Sequence, residues 1–117
     1  MVMIMTEIYK GTGWSRTLVG CCDSGDIYKG IGWSKSLIGS YKDGDIYKGT
    51  GWSKTVIGSY KNGDIYSGTG WGRNCIGGYN NNSIYLGTGW SKDYVGETSG
   101  CDEGAAAAAF LLLLKDA

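Results

Sequence analysis

Apolar and polar positions along this chain recur with a period of 19 residues, in five copies spanning 7–25, 26–44, 45–63, 64–82 and 83–101. The third copy reads DIYKGTGWSKTVIGSYKNG. Its β-prone residues predict one strand over 45–52 and a second over 55–60. Ser53 and Lys54 form a link short enough for a hairpin, and Asn62-Gly63 is the dipeptide of a tight turn. Alternation places Ile46, Lys48, Thr50 and Trp52 on one face, with Tyr47, Gly49 and Gly51 on the other, where the glycines leave room for a neighbouring ring. Two apolar series form the expected core: Ile8, Ile27, Ile46, Ile65 and Ile84, then Val19, Ile38, Ile57, Ile76 and Val95. The glycine after each member of the second series (Gly20, Gly39, Gly58, Gly77, Gly96) predicts a bulge or a close backbone approach.

The pattern changes at the end of the chain. Ala105 to Leu114 reads AAAAAFLLLL, a helix-forming run preceded by Asp102 and Glu103 and followed by Lys115, charges that suit a helix dipole. Such a helix is about 15 Å long, roughly half a bilayer's hydrocarbon thickness. It is apolar all round, and leaving its Phe and Leu side chains in water forgoes on the order of 7–15 kcal/mol, so it must be buried. Eight strands make a barrel that fills itself, whereas ten leave a lumen. The expectation is therefore a single all-β domain over 1–117, with five tandem hairpin repeats forming a closed barrel or ring of about ten antiparallel strands. A short C-terminal apolar helix, 102–117, fills its centre. An open β-solenoid capped by the tail, or a tail packed between the subunits of a homo-oligomer, are the competing arrangements.

The segments IYKGTGW and VIGSYKNG resemble a group of bacterial proteins built from short Gly-Trp β-repeats ending in an Ala/Leu-rich run, and are also similar to β-flower proteins. The resemblance covers nearly the whole chain and carries no catalytic residues. The spacing of Tyr47, Gly49, Gly51 and Trp52 is similar to that of the longer MORN repeats, which implies lipid or protein contacts. The Gly-Trp pair resembles choline-binding repeats, whose cages use more aromatics per repeat than the single Trp here.

Composition narrows the chemistry. The 22 glycines recur at fixed offsets among aromatic and β-branched residues, so they are patterned and not a sign of disorder. Lys plus Arg equals Asp plus Glu at 11 each, leaving no net field to concentrate nucleic acid. The absence of histidine removes the commonest general base and metal ligand. Glu7, Asp26, Asp45 and Asp64 occur singly at turns, which reads as solvation, and the GTG or GIG element precedes Trp and a turn, unlike a phosphate loop. Cys21, Cys22, Cys75 and Cys101 share no repeat position and form no metal spacing, so they read as incidental thiols of a cytoplasmic protein, with Cys101 able to approach Cys21 or Cys22 if the ring closes. Met1 to Lys10 shows no secretory leader. No cofactor or metal is expected.

Two series remain as candidate ligand-binding residues. Arg16, Lys35, Lys54, Arg73 and Lys92 place one cation beside each Trp-Ser turn, either as soluble hairpin tips that blunt edge pairing or as a site for an anion or acidic partner. Trp14, Trp33, Trp52, Trp71 and Trp90 read first as packing between hairpins and second as exposed platforms for sugars or lipid headgroups. The fourth copy, with Ser67, Gly72 and the run Asn80 to Asn82, is where a unique site would be sought. The sequence thus supports a non-enzymatic structural or interaction module, the alternative being a carbohydrate or lipid-headgroup binding protein.

Overall fold

The computed structural model describes residues 5–30, 32–100 and 102–114. Ten strands form a closed antiparallel barrel: β1 (Met5–Lys10), β2 (Thr17–Asp23), β3 (Asp26–Lys29), β4 (Ser36–Lys42), β5 (Asp45–Lys48), β6 (Thr55–Lys61), β7 (Asp64–Ser67), β8 (Asn74–Asn80), β9 (Ser83–Leu86) and β10 (Asp93–Ser99). Each strand pairs with its sequence neighbours, and β1 closes the ring against β10 with Glu7 opposite Ser99 and Lys10 opposite Gly96. Closure through the terminal copies excludes the open solenoid.

Two kinds of connection alternate around the barrel. At one end the strands turn through Ser24-Gly25, Asp43-Gly44, Asn62-Gly63 and Asn81-Asn82, whose positive φ angles (51° and 89° at Asn62-Gly63) give the twist that antiparallel neighbours require. At the other end, all five copies carry a longer loop with a short 3₁₀ turn, Gly51–Ser53 in the third copy. Here the structure corrects the sequence reading. The first strand stops at Lys48 instead of running to Trp52, because Gly49 (φ 93°) and Gly51 (φ 57°) turn the chain out of the sheet. These glycines serve the loop and leave no slot for an aromatic ring. Each loop is tied sideways to the preceding copy, as Gly49 N–H donates to the Ile38 carbonyl at 3.0 Å and Gly68 N–H to that of Ile57 at 2.9 Å.

Ile8, Ile27, Ile46, Ile65 and Ile84 point inward and are fully buried. The second expected core series lies at a bulge. Ile46 pairs with Gly58 and Tyr47 with Val56, so Ile57 is the unpaired extra residue, half-buried against the core. The following glycine faces the lumen close to the neighbouring strand, and a Cβ on Gly58 would collide with the Tyr66 carbonyl.

The lumen holds the C-terminal helix, α1 (Glu103–Ala109), which continues as a widened π turn over Phe110–Leu114. Ala105 to Ala109 are buried at the axis, where small side chains suit a narrow lumen. The five residues of the π turn distribute themselves over the five copies. A Cβ placed on Gly77 or on Gly58 would stand 2.6 Å from Leu111 Cδ1 or Leu112 Cδ1 respectively. The corresponding distances are 3.0 Å from Gly39 to Leu113 Cδ1, 3.1 Å from Gly20 to Leu114 Cδ1 and 3.4 Å from Gly96 to Phe110 Cε2. Lys115 to Ala117 of the expected helix lie outside the described residues, and no described helix is long and apolar enough to cross a membrane.

A collar of Tyr41, Tyr60 and Tyr79 surrounds the helix entrance, with Cys22 and Thr98 at the equivalent positions of the first and fifth copies. Tyr41 OH donates to Asp102 Oδ2 at 2.9 Å, Asp102 N–H to Thr6 Oγ1 at 3.0 Å, and Asn82 N–H to Glu103 Oε2 at 2.5 Å. Gly104 passes where a Cβ would lie 2.6 Å from the Tyr60 ring. The Asn run of the fourth copy thus serves to seat the tail. Burial raises the Tyr60 hydroxyl to about 12.

Three outcomes follow from this packing. Gly58→Ala should cost about 1–3 kcal/mol in urea unfolding through overpacking, and more than Gly72→Ala, whose Cβ meets open space on a backbone without positive φ. Deletion of residues 103–117 should abolish cooperative thermal unfolding of the monomer, followed by near-ultraviolet circular dichroism. The Tyr60 proton is held more tightly in the folded chain than in the unfolded one, whose value is near 10. Stability should therefore be complete below pH 10 and decline as pH rises towards about 12, a slope that Tyr60→Phe reduces in pH-dependent urea midpoints.

Candidate functional site

The five long loops project from one end of the barrel, since each joins an odd-numbered strand to the next even-numbered one. Trp14, Trp33, Trp52, Trp71 and Trp90 stand on them with 105–107% relative exposure, against the expectation that they pack between hairpins. The reason is local: the positive-φ glycine before each Trp and the 3₁₀ turn aim the indole away from the wall. In the first and third copies, Ser15 and Ser53 hydroxyls donate back to the Thr12 and Thr50 carbonyls at 3.2 and 3.1 Å, closing the turn beneath the ring.

The cation two residues further on returns to the wall and lies over the tyrosine of its own copy. The distances to the ring centroid are 4.2 Å for Arg16 over Tyr9, 4.5 Å for Lys35 over Tyr28, 5.0 Å for Lys54 over Tyr47, 4.5 Å for Arg73 over Tyr66 and 4.6 Å for Lys92 over Tyr85. The repeated Tyr is thus a seat for the repeated cation. The sequence reading named the cations and Tyr47 without pairing them, although the constant offset between cation and tyrosine within the copy was the available signal.

Adjacent copies enclose a shallow groove beside the loops of the second to fifth copies. Between the third and fourth copies it is walled by Asp45, Val56, Gly58 and Ser59 on one side, and by Gly68, Thr69, Gly70 and Arg73 on the other, with a volume of about 530 Å³. Equivalent residues line grooves of about 280 Å³ between the first and second copies, 100 Å³ between the second and third, and 130 Å³ between the fourth and fifth. Each combines a cation, a carboxylate and loop backbone.

At the seam between the fifth and first copies the cation is already engaged. Glu97 receives Arg16 Nη1 at 2.5 Å, Gly13 N–H at 3.4 Å and the Tyr94 hydroxyl. The Tyr94 hydrogen bond, then that of Arg16, holds the Glu97 carboxyl below the usual carboxylate range. The same contacts raise Tyr94 and Arg16. At the loop end the seam is thus a further departure from symmetry beside Ser67 and Gly72 of the fourth copy.

Of the thiols, Cys21 lines the groove between the first and second copies and faces Glu7 across the ladder. Cys22 is buried in the collar, and burial pushes its thiol well above the ordinary range. Cys21 is buried with a raised thiol and Cys75 is exposed, all three being free, whereas the expected approach of Cys101 lies outside the described residues. Comparison with protein-family models, curated proteins and solved structures finds no match to this chain.

Because the native Glu97 value is depressed, its contribution to seam stability is present above the unfolded value near 4.5 and is lost as pH falls below it. Carboxyl NMR titration should place Glu97 below the ordinary carboxylate range. Phe at position 94 should return it upward further than Met at position 16, and the reverse order would contradict the dominance of the Tyr94 hydrogen bond.

Proposed function

We propose that this chain is a non-enzymatic, multivalent carbohydrate-binding module that presents five tryptophans and four grooves along a single rim. The observation that carries this reading is the complete exposure of five indoles held on short, backbone-tied loops. A protein that served only as scaffold would bury these rings, since each offers one of the largest apolar areas of any side chain. A rigid indole costs little entropy to dock on the apolar face of a sugar ring, and the grooves supply hydrogen-bonding groups for its hydroxyls.

A lipid-headgroup reading draws on the placement of all five rings at one end, as in the interfacial belts of membrane proteins. The composition of the rim favours sugar. In the sequence each Trp is flanked by Gly, by Thr or Ile31, by Ser or Gly72 and by a cation, so little apolar surface is available to enter acyl chains.

Tryptophan fluorescence tests the reading. Emission should lie near that of free tryptophan and be strongly quenched by iodide. Titration with neutral oligosaccharides should change its intensity and protect it from quencher. A blue shift on phosphatidylcholine or phosphatidylserine vesicles with no response to sugars would favour headgroups, and blue-shifted emission inaccessible to iodide in the free protein would refute both.

A further inference from the structure

The seam differs from the other grooves by a transposed carboxylate and by Tyr94, whose hydroxyl meets that carboxylate where the other copies carry Leu18, Leu37, Val56 and Cys75. On the outer face of each regular groove an acid faces a small residue across the ladder: Asp45 faces Ser59, Asp26 faces Ser40, Asp64 faces Gly78 and Glu7 faces Cys21. At the seam Ser83 faces Glu97. The small residue lies between two charges, as Ser59 pairs with Asp45 on one side and with Tyr66, the seat of Arg73, on the other. With strands spaced about 4.8 Å, the flanking positions are roughly 10 Å apart, so the acid stays on the far wall. Among the described residues, Lys35, Lys54, Arg73 and Lys92 make no ion pair, whereas Arg16 does. Ser40 Oγ, at the Glu97 position of the second copy, is buried without a hydrogen-bond partner.

We infer that the four regular grooves each bind the carboxylate of an acidic sugar, and that the seam is the same site closed by the chain's own Glu97. This rests on the carbohydrate reading and specifies its ligand. The seam displays the recognition: one carboxylate oxygen meets the cation and the other the loop glycine N–H. In the regular grooves the equivalent partners are Lys35 with Gly32, Lys54 with Gly51, Arg73 with Gly70 and Lys92 with Gly89. A sugar whose carboxylate lies there extends its hydroxyls towards the acid on the opposite wall, an acceptor suited to hydroxyl groups. A cation already stacked on tyrosine is pre-oriented, which lowers the entropy cost of pairing. Since Glu97 occupies one site of the ring, the chain offers four.

Glucuronic acid and glucose differ at C6 in carboxylate against hydroxymethyl, and serve as matched probes by amide NMR at pH 7 and low salt. Glucuronate should bind at least tenfold more tightly, weaken as salt rises, and shift the amides of Gly32, Gly51, Gly70 and Gly89 but not Gly13. Glu97→Ser should bring Gly13 into the responding set. Ser59→Glu combined with Asp45→Ser and Val56→Tyr copies the seam into the third groove and should remove Gly70, a result that keeps the test valid if opening the seam destabilises the barrel. Equal binding of glucose and glucuronate overturns the carboxylate site while leaving the carbohydrate reading, and binding of neither overturns both. Acetate binding as tightly as glucuronate would overturn the sugar assignment, and an unchanged set of responding glycines in both variants would overturn the placement in the grooves.

Discussion

The interlock between five lumenal glycines and five consecutive helix residues holds this molecule together. Equivalent points on a ring of five copies lie about 72° apart, whereas an α-helix advances about 100° per residue. Phe110 to Leu114 adopt the wider π geometry where they meet Gly96, Gly77, Gly58, Gly39 and Gly20, bringing the angular step closer to that of the ring. One side chain then serves each copy. The barrel lacks the inward side chains to fill itself at this level, and the tail lacks any polar face with which to meet water. Each removes the other's exposed apolar surface.

The same glycines organise the loop end of the barrel. By allowing close approach to the next strand they sit beside a bulge that leaves Val19, Ile38, Ile57, Ile76 or Val95 outside the pairing register. The carbonyl of that extra residue accepts the N–H of the next copy's loop glycine, as from Gly30 to Val19, Gly68 to Ile57 and, across the seam, Gly11 to Val95. Core packing and loop placement therefore share one device. A substitution that disturbs the interlock is transmitted through the bulge to the loop holding Trp and cation, and the grooves lose their shape with the core.

Period and composition made much of this legible. A uniform Ile in every copy marked the inner face, the Asn-Gly dipeptide marked a tight turn, and a tail with no polar side had to lie inside a closed wall. Exposure of the tryptophans stood second in the sequence reading because period-two alternation was extended through Gly49 and Gly51, where positive φ ends the strand before Trp52 is reached. Their position in a segment otherwise made of Gly, Thr, Ser and Lys was the signal that they lacked neighbours. Similarly, the exchange of Asp and Ser in the third copy for Ser83 and Glu97 in the fifth was visible in the aligned copies, but its meaning depends on a ladder register that residue order alone does not supply.

Closing a ring from a single chain leaves one junction that no turn connects, and the changes in the terminal copies address that. At the entrance, Cys22 and Thr98 replace the collar tyrosines, which leaves room for the chain to pass from β10 to the axis while Thr6 and Asn82 take hydrogen bonds from the incoming segment and the end of the wall. At the loop end, Glu97 ties the last copy to Arg16 and Gly13 of the first. An exposed ion pair by itself contributes little, but this one also receives a tyrosine hydroxyl and a backbone N–H, and it acts where ring opening would expose both strand edges. On the proposed reading, one of five equivalent grooves is thereby committed to closure while the other four keep their cations free for ligand. Symmetry that multiplies a site also makes its self-occupied copy informative, because the cation and loop glycine that hold Glu97 recur where no internal carboxylate reaches them.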